Sequence, residues 1–279
     1  MNATLPRVAA IHDVSGFGKC ALTIAIPVLS ACGVEVCPLP TAVLSANTDF
    51  PGFQMVDLTA AMPGFLHHWE TMQLHLDAVY SGFLGSAAQM DDITQLVQSF
   101  RPKLTLVDPV CADDGKVYKT YTPEMCRRLR TFTSIADVVT PNLTEACVLT
   151  ETDFASCRTD SAGIRALAEQ IHEHGAKSVI ITGIERGGVL CNCILDDQGY
   201  DERTVPLLPF RMHGTGDLFA SVLTGGLLTG HDLRSSVDSA AQFTAFAMEQ
   251  SAQYEDAFRR GVCFEPYLHL LAGGLFRAE

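Results

Sequence analysis

"VAAIHDVSGFGKCALTIAIPVLSACGVEVCPL", residues 8–39, opens with an apolar run at 8–11 and a glycine-rich turn at 16–21. A helical apolar pattern at 21–31 and a second apolar run at 34–39 follow. Strand, turn, helix and strand in that order make the first unit of a parallel α/β sheet. The pattern continues along the chain. Runs at 78–81, 104–107, 137–139, 178–182, 188–195 and 204–208 read as strands. Stretches at 63–76, 87–100, 123–131, 143–149 and 161–174 read as helices between most of them. The C-terminal part is mostly helical, at 216–228, 233–250 and 265–271. "LTLV" (104–107) and "SVIIT" (178–182) are apolar at nearly every position, as parallel strands covered on both faces must be. The expected fold is α/β, three-layered, with a mostly parallel central sheet flanked by helices. No repeat or linker interrupts it, so residues 1–279 are expected to form one domain.

Composition agrees. The chain is 47% hydrophobic and 18% charged, enough apolar matter for a sizeable core. A net charge of −13 gives no support to a nucleic-acid or anionic-membrane partner. An acidic chain binds phosphate locally, through backbone amides, a few cations and a metal. The N-terminus has no signal-peptide pattern, and the longest apolar stretch, 20–34, is polar-interrupted and too short for a membrane span. A cytoplasmic protein is expected. None of the ten cysteines forms a C-x-x-C pair, so they read as small buried hydrophobes of a reducing compartment. Cys191 and Cys193 would share one sheet face.

Ligands of open α/β sheets bind beyond the carboxyl ends of the strands. His12-Asp13, Ser81-Gly82, Asp108-Pro109, Thr140-Pro141-Asn142 and Thr182-Gly183 are all expected there. Each alone would serve as a turn or a cap. Together at one edge they mark a site.

Two glycine turns compete for a phosphate. Gly16-Phe17-Gly18-Lys19-Cys20-Ala21 spells G-x-G-x-x-A, the form of a dinucleotide-binding turn. That reading needs an acidic residue at the far end of the second strand. Glu35 is the candidate, and it stands at the beginning of that strand. Residues 12–16 also separate the first strand from Phe17, too many for the tight turn. The dinucleotide reading fails.

The second turn, "HGTGDLFASVLTGGLL" (213–228), places Gly214-Thr215-Gly216-Asp217 directly before an apolar helix. The first amides of a helix lack internal partners, and with the helix dipole they bind anions. Glycines let the backbone come close. Asp217 in that setting either caps the helix or accepts a proton from a hydroxyl attacking the bound anion. The latter is what phosphoryl transfer asks of a protein, along with charge neutralisation.

"GTGD" opening a late helix resembles the signature of the ribokinase-like superfamily. "DPV" (108–110), "TPNLTE" (140–145) and "VIITG" (179–183) complete its order. "TAVLSANTDF" (41–50) and "YSGFLGS" (80–86) resemble the substrate-side segments of its pyridoxal kinase branch. The resemblance covers essentially the whole chain and includes no small β-lid insertion near 10–40. It implies ATP-dependent phosphorylation of the 5′-hydroxymethyl group of pyridoxal, pyridoxine or pyridoxamine, as in vitamin B6 salvage. Asp217 would be the base, and Gly214, Thr215 and Gly216 the anion hole. Asn142 and Glu145 would organise Mg²⁺ through water, with Asp108 adding negative charge beside the metal and the phosphates. Thr182 and Gly183 would contact nucleotide phosphates. Asp113 or Asp114 would ride on a flap at 110–118 that closes over ATP, with adenine in an apolar slot near 204–208 and the late helices. Phe83 would stack on the substrate ring and Thr48 bond a ring substituent. The resemblance also implies a homodimer. Monovalent-cation (K⁺) activation is common in the superfamily, though no residue here shows it.

The first glycine loop corresponds to the vitamin-facing loop of pyridoxal kinases. Asp13 stands where they place a serine. An Asp there resembles the hydroxymethylpyrimidine kinase branch, the alternative reading. Lys19 reads as either a surface residue or a substrate contact. Asn142-x-x-Glu145 also has capping-box spacing. An intact GTGD argues against a non-catalytic vitamin-binding protein.

Overall fold

The computed structural model describes residues 4–276. β1 (Arg7–Ser15), α1 (Leu22–Ala31) and β2 (Glu35–Leu44) form the expected first unit. β3 (Met55–Asp57), α2 (Met62–Thr71), β4 (Ala78–Ser81), α3 (Ala87–Phe100) and β5 (Leu104–Val107) follow. β6 (Ala112–Asp113) and β7 (Lys116–Val117) make a small separate hairpin before α4 (Pro123–Thr133). Next come β8 (Val138–Val139), α5 (Leu143–Thr150), α6 (Ser161–Glu173) and the strands β9 (Ser178–Arg186), β10 (Val189–Asp196) and β11 (Gly199–Pro206). α7 (Thr215–Leu228), α8 (Leu233–Ser251), α9 (Ala257–Arg260) and a 3₁₀ helix (Glu265–Leu271) end the described chain.

The main sheet has nine strands in the order β11-β10-β9-β8-β5-β4-β1-β2-β3. The six from β9 to β2 are mutually parallel; β3 and β10 run against them, and β11, antiparallel to β10, runs with them at the edge. One apolar layer lies under α2 to α6 and the other under α1, α7 and α8. The chain leaves β1 for β2 on one side, then crosses to β4 on the other. That reversal opens a crevice at the carboxyl ends of β1 and β4.

Several boundaries differ from the expectation, each for a physical reason. β1 runs on to Ser15 beside β2, and its register shifts between His12 and Val14. His12-Asp13 therefore lies inside a strand, as does Thr182-Gly183 in β9. β11 begins at Gly199, five residues before the expected 204, because the polar "YDER" face pairs with β10 at an exposed edge. β3 has three residues on the opposite edge and no periodicity to betray it. α2 stops at Thr71 and the final helix is 3₁₀. All ten cysteines are free thiols, and Cys191 and Cys193 are buried on one face of β10. Among the described residues no helix is long and apolar enough to cross a membrane.

Candidate active site

Gly214 caps α7 in a left-handed conformation, φ +80°. A Cβ there would lie 2.5 Å from Ile24 Cδ1 and 2.6 Å from the Lys19 carbonyl oxygen, so only glycine fits. The second glycine turn thus packs directly on the first. The first intrahelical bond runs from Leu218 N–H to the Gly214 carbonyl (2.9 Å), leaving the amides of Thr215, Gly216 and Asp217 ahead of it. A Cβ on Gly216 would meet nothing within 4 Å, and residues 214–217 all border open cleft space.

Asp217 does not cap its helix. Its Oδ2 accepts from the Ala21 amide at 2.9 Å, across 196 residues of sequence. Burial pushes its carboxyl up to about 7; the Ala21 amide opposes this and the Asp13 charge adds to it. Asp13 is itself buried and pushed up to about 6, with the Ser15 hydroxyl donating to it at 3.0 Å. On the other side of Asp217 stands Asp108, raised by burial and by the Asp217 charge, with Thr140 Oγ1 donating at 3.1 Å. Glu145 is raised by burial and then by Asp108. Four carboxylates, Asp13, Asp217, Asp108 and Glu145, thus form a linked series whose hydrogen-bond partners are amides and hydroxyls, none cationic. Uncompensated buried negative charge calls for a cation or a proton.

Asn142 and Glu145 do form the capping box. Asn142 Oδ1 accepts from the Glu145 amide and Glu145 Oε2 from the Asn142 amide, both at 2.9 Å. The same side chains hold the β6–β7 hairpin. Asn142 Nδ2 donates to the Ala112 carbonyl at 2.9 Å, and Glu145 Oε1 accepts from the Cys111 amide at 3.2 Å. Asp113 and Asp114 are exposed on that hairpin. Thr182 bridges to Asn142, and the Gly183 amide donates to Asn192 Oδ1 at 3.3 Å. All these groups border one cleft of about 570 Å³, which runs from Asp217 to an apolar end at Leu190, Val205, Phe210 and Met248. Residues of the 204–208 run and of α8 are among those lining it.

The residues expected to face the vitamin, Asp13, Thr48 and Phe83, do not line this cleft. Asp13 lies beyond Asp217, away from the cleft lining. Thr48 is exposed on the loop after β2. Phe83 is half-buried and edge-on to Tyr121 at 6.2 Å, so it packs into the core layer. Lys19 is half-buried, pairs with Glu265 at 2.7 Å and lies over Phe264. Glu35 pairs with Arg7 at 2.8 Å at the amino ends of the strands, the wrong edge for a ribose contact. Three groups at the site escaped the sequence. The Ala21 amide carries no side-chain signal. His213 pairs with Asp49 at 2.6 Å, and only its place before GTGD pointed to it. Arg211 has no motif at all.

The sequence profile of the phosphomethylpyrimidine kinase family matches residues 26–260. A pyridoxine kinase of Bacillus subtilis is 31% identical over 183 residues, 63% of this chain; the chain spans 65% of that relative's length. A Bacteroides thetaiotaomicron protein assigned to the phosphomethylpyrimidine kinases and crystallised with pyridoxal superposes with a TM-score of 0.91 at 36% identity, covering 96% of both chains. A pyridoxal kinase of Lactobacillus plantarum gives 0.89 at 31% identity over 95% of this chain and 96% of its own.

Proposed function

The chain belongs to the phosphomethylpyrimidine kinase family, and from that premise we propose that it transfers the γ-phosphate of ATP to the 5′-hydroxymethyl group of a B6 vitamer, pyridoxal, pyridoxine or pyridoxamine. The observation that carries the reading is Asp217. Its carboxylate stands in the first turn of α7 without capping it, and its Ala21 bond turns it toward the first glycine loop.

The chemistry divides among the chain's own groups. Asp217 orients the substrate hydroxyl and takes its proton on a carboxylate oxygen. A carboxyl held near 7 is matched to that task at neutral pH. The amides of Thr215, Gly216 and Asp217 bind the charge that develops on the transferred group, helped by the helix dipole. Thr182 and Gly183 line the same cleft for the nucleotide phosphates. Asp113 rides above them on the hairpin, and Thr48 and Phe83 remain the proposed ring contacts.

Asp108 and Glu145 suit Mg²⁺. They are hard oxygen donors, buried and without a cationic partner. Among the described residues no three His, Cys, Asp or Glu side chains converge as a direct metal cluster. That fits an ion which keeps its own waters and is completed by phosphates. When bound, it neutralises charge on the phosphates. We propose that the protein works as a homodimer.

A second substrate class is favoured by one observation. The buried Asp13 carboxylate on the substrate side of Asp217 suits a ring N–H or an exocyclic amine, as in hydroxymethylpyrimidine. ADP release measured with Mg²⁺ and K⁺ across B6 vitamers, hydroxymethylpyrimidine and simple sugars tests the reading. A preference for hydroxymethylpyrimidine would replace the vitamin assignment with the second class. Tight pyridoxal binding without ADP release would end the kinase reading.

A further inference from the structure

The cleft that runs from Asp217 is strongly acidic. Asp108, Asp113, Asp114, Glu145, Glu185 and Asp217 all line it. A nucleoside triphosphate brings still more negative charge. Among the described residues lining the cleft, Arg211 is the one arginine or lysine. It lies in the segment between β11 and α7, three residues before Gly214. Its Nη1 pairs with Asp114 at 2.5 Å on the β6–β7 hairpin, and its Nη2 with Glu185 at 2.8 Å near the end of β9. The guanidinium therefore ties the hairpin to the sheet across the mouth of the cleft.

These pairs are exposed, with the Arg211 and Asp114 side chains both more than half open to solvent. Exposed single pairs of this kind hold weakly. A polyphosphate offers the same planar fork a denser, bidentate acceptor. Exchange is therefore favoured once a nucleotide enters.

We propose that Arg211 is a nucleotide-binding residue that trades Asp114 and Glu185 for the triphosphate. This rests on the ATP-dependent reading above and deepens it. Arg211 supplies, from the protein, positive charge that the carboxylate series lacks. It acts on nucleotide binding and leaves the vitamer side alone.

The test is calorimetric titration of MgATP into the intact protein, paired with steady-state KM values for ATP and vitamer. R211Q is expected to weaken MgATP binding about ten- to a hundredfold, the span of a charged hydrogen bond, with the vitamer KM unchanged. R211K is expected to recover part of the loss, since it keeps the charge and loses the fork. D114N removes the competing partner and is expected to tighten MgATP about two- to fivefold, the worth of an exposed pair. Equal binding by wild type and R211Q overturns the inference alone. So does a parallel rise in both KM values, or a loss in D114N as large as in R211Q. Wild-type protein that binds no MgATP overturns this inference and the proposed function together.

Discussion

Gly214 and Gly216 stand one residue apart, yet alanine at the two positions should do opposite things. At 214 the backbone sits at φ +80°, which costs an L-residue about 1–2 kcal/mol. The added Cβ also meets Ile24 Cδ1 at 2.5 Å and the Lys19 carbonyl at 2.6 Å. The isoleucine tip can turn aside; the backbone oxygen cannot, and forced overpacking costs about 1–3 kcal/mol. Gly214→Ala should therefore lose about 3 kcal/mol, seen in urea unfolding as a lower midpoint and in heating as a fall of about 5–10 °C. Gly216 is already helical, and its Cβ would meet nothing within 4 Å. Gly216→Ala should keep or gain stability, by at most about 1 kcal/mol. Its methyl nevertheless enters open space beside the cleft that residues 214–217 line. If a transferring phosphate occupies that space, kcat/KM should fall about 10²-fold, as when one anion-hole donor is lost. Gly214→Ala with wild-type stability would refute the packing argument. Gly216→Ala with full activity would refute the anion site.

Other outcomes follow from the carboxylates and the hairpin anchor. Asp217→Asn should cut kcat by about 10²–10⁴ while leaving MgATP binding intact, by calorimetry. Because Asp217 must be ionised to take a proton, kcat/KM should decline below about pH 7. Its folded carboxyl is raised, so its stabilising contribution is full below about pH 4 and lost as pH rises through 7. Asp217→Asn should then be more stable than wild type by about 1–2 kcal/mol at pH 8, and show little difference at pH 4, in parallel melts. Asp13→Asn removes a negative neighbour and should move the acid limb of kcat/KM to lower pH, read from a full pH–rate profile. Asn142→Ala loses the cap of α5 and the tie to Ala112, at a cost of about 1 kcal/mol. Limited proteolysis should then cut the hairpin at 112–117 faster.

The sheet interior was legible because its strands are apolar on both faces and its helices carry caps and period. Ser86, Thr122 and Asp160 each cap the helix that follows them. The edges were not legible. β3 and the polar start of β11 are held by ladder bonds and carry no burial pattern to read. At the site, residues announced by motif were found at the cleft: Asp108, Asn142, Glu145, Thr182, Gly183 and the 214–217 turn. Phe83 was named by its motif as a ring contact, and its packing against Tyr121 had no signal in the sequence. Groups that act through the backbone or across large sequence gaps, such as the Ala21 amide and Arg211, leave no local trace.

The bond between Ala21 and Asp217 also bears on the order in which the chain is made. β1 and the first glycine loop are made before α7, and the proposed base that the loop holds arrives 196 residues after Ala21. At ribosomal rates that interval lasts about 10–40 s. Through it a growing chain can gather strands β1 to β11 and much of the cleft lining, but not Asp217 or the glycine turn before it. With Asp217 as the proposed base, competence for transfer would arrive with α7, late and in one step, so a chain stopped before α7 would have no means to spend nucleotide.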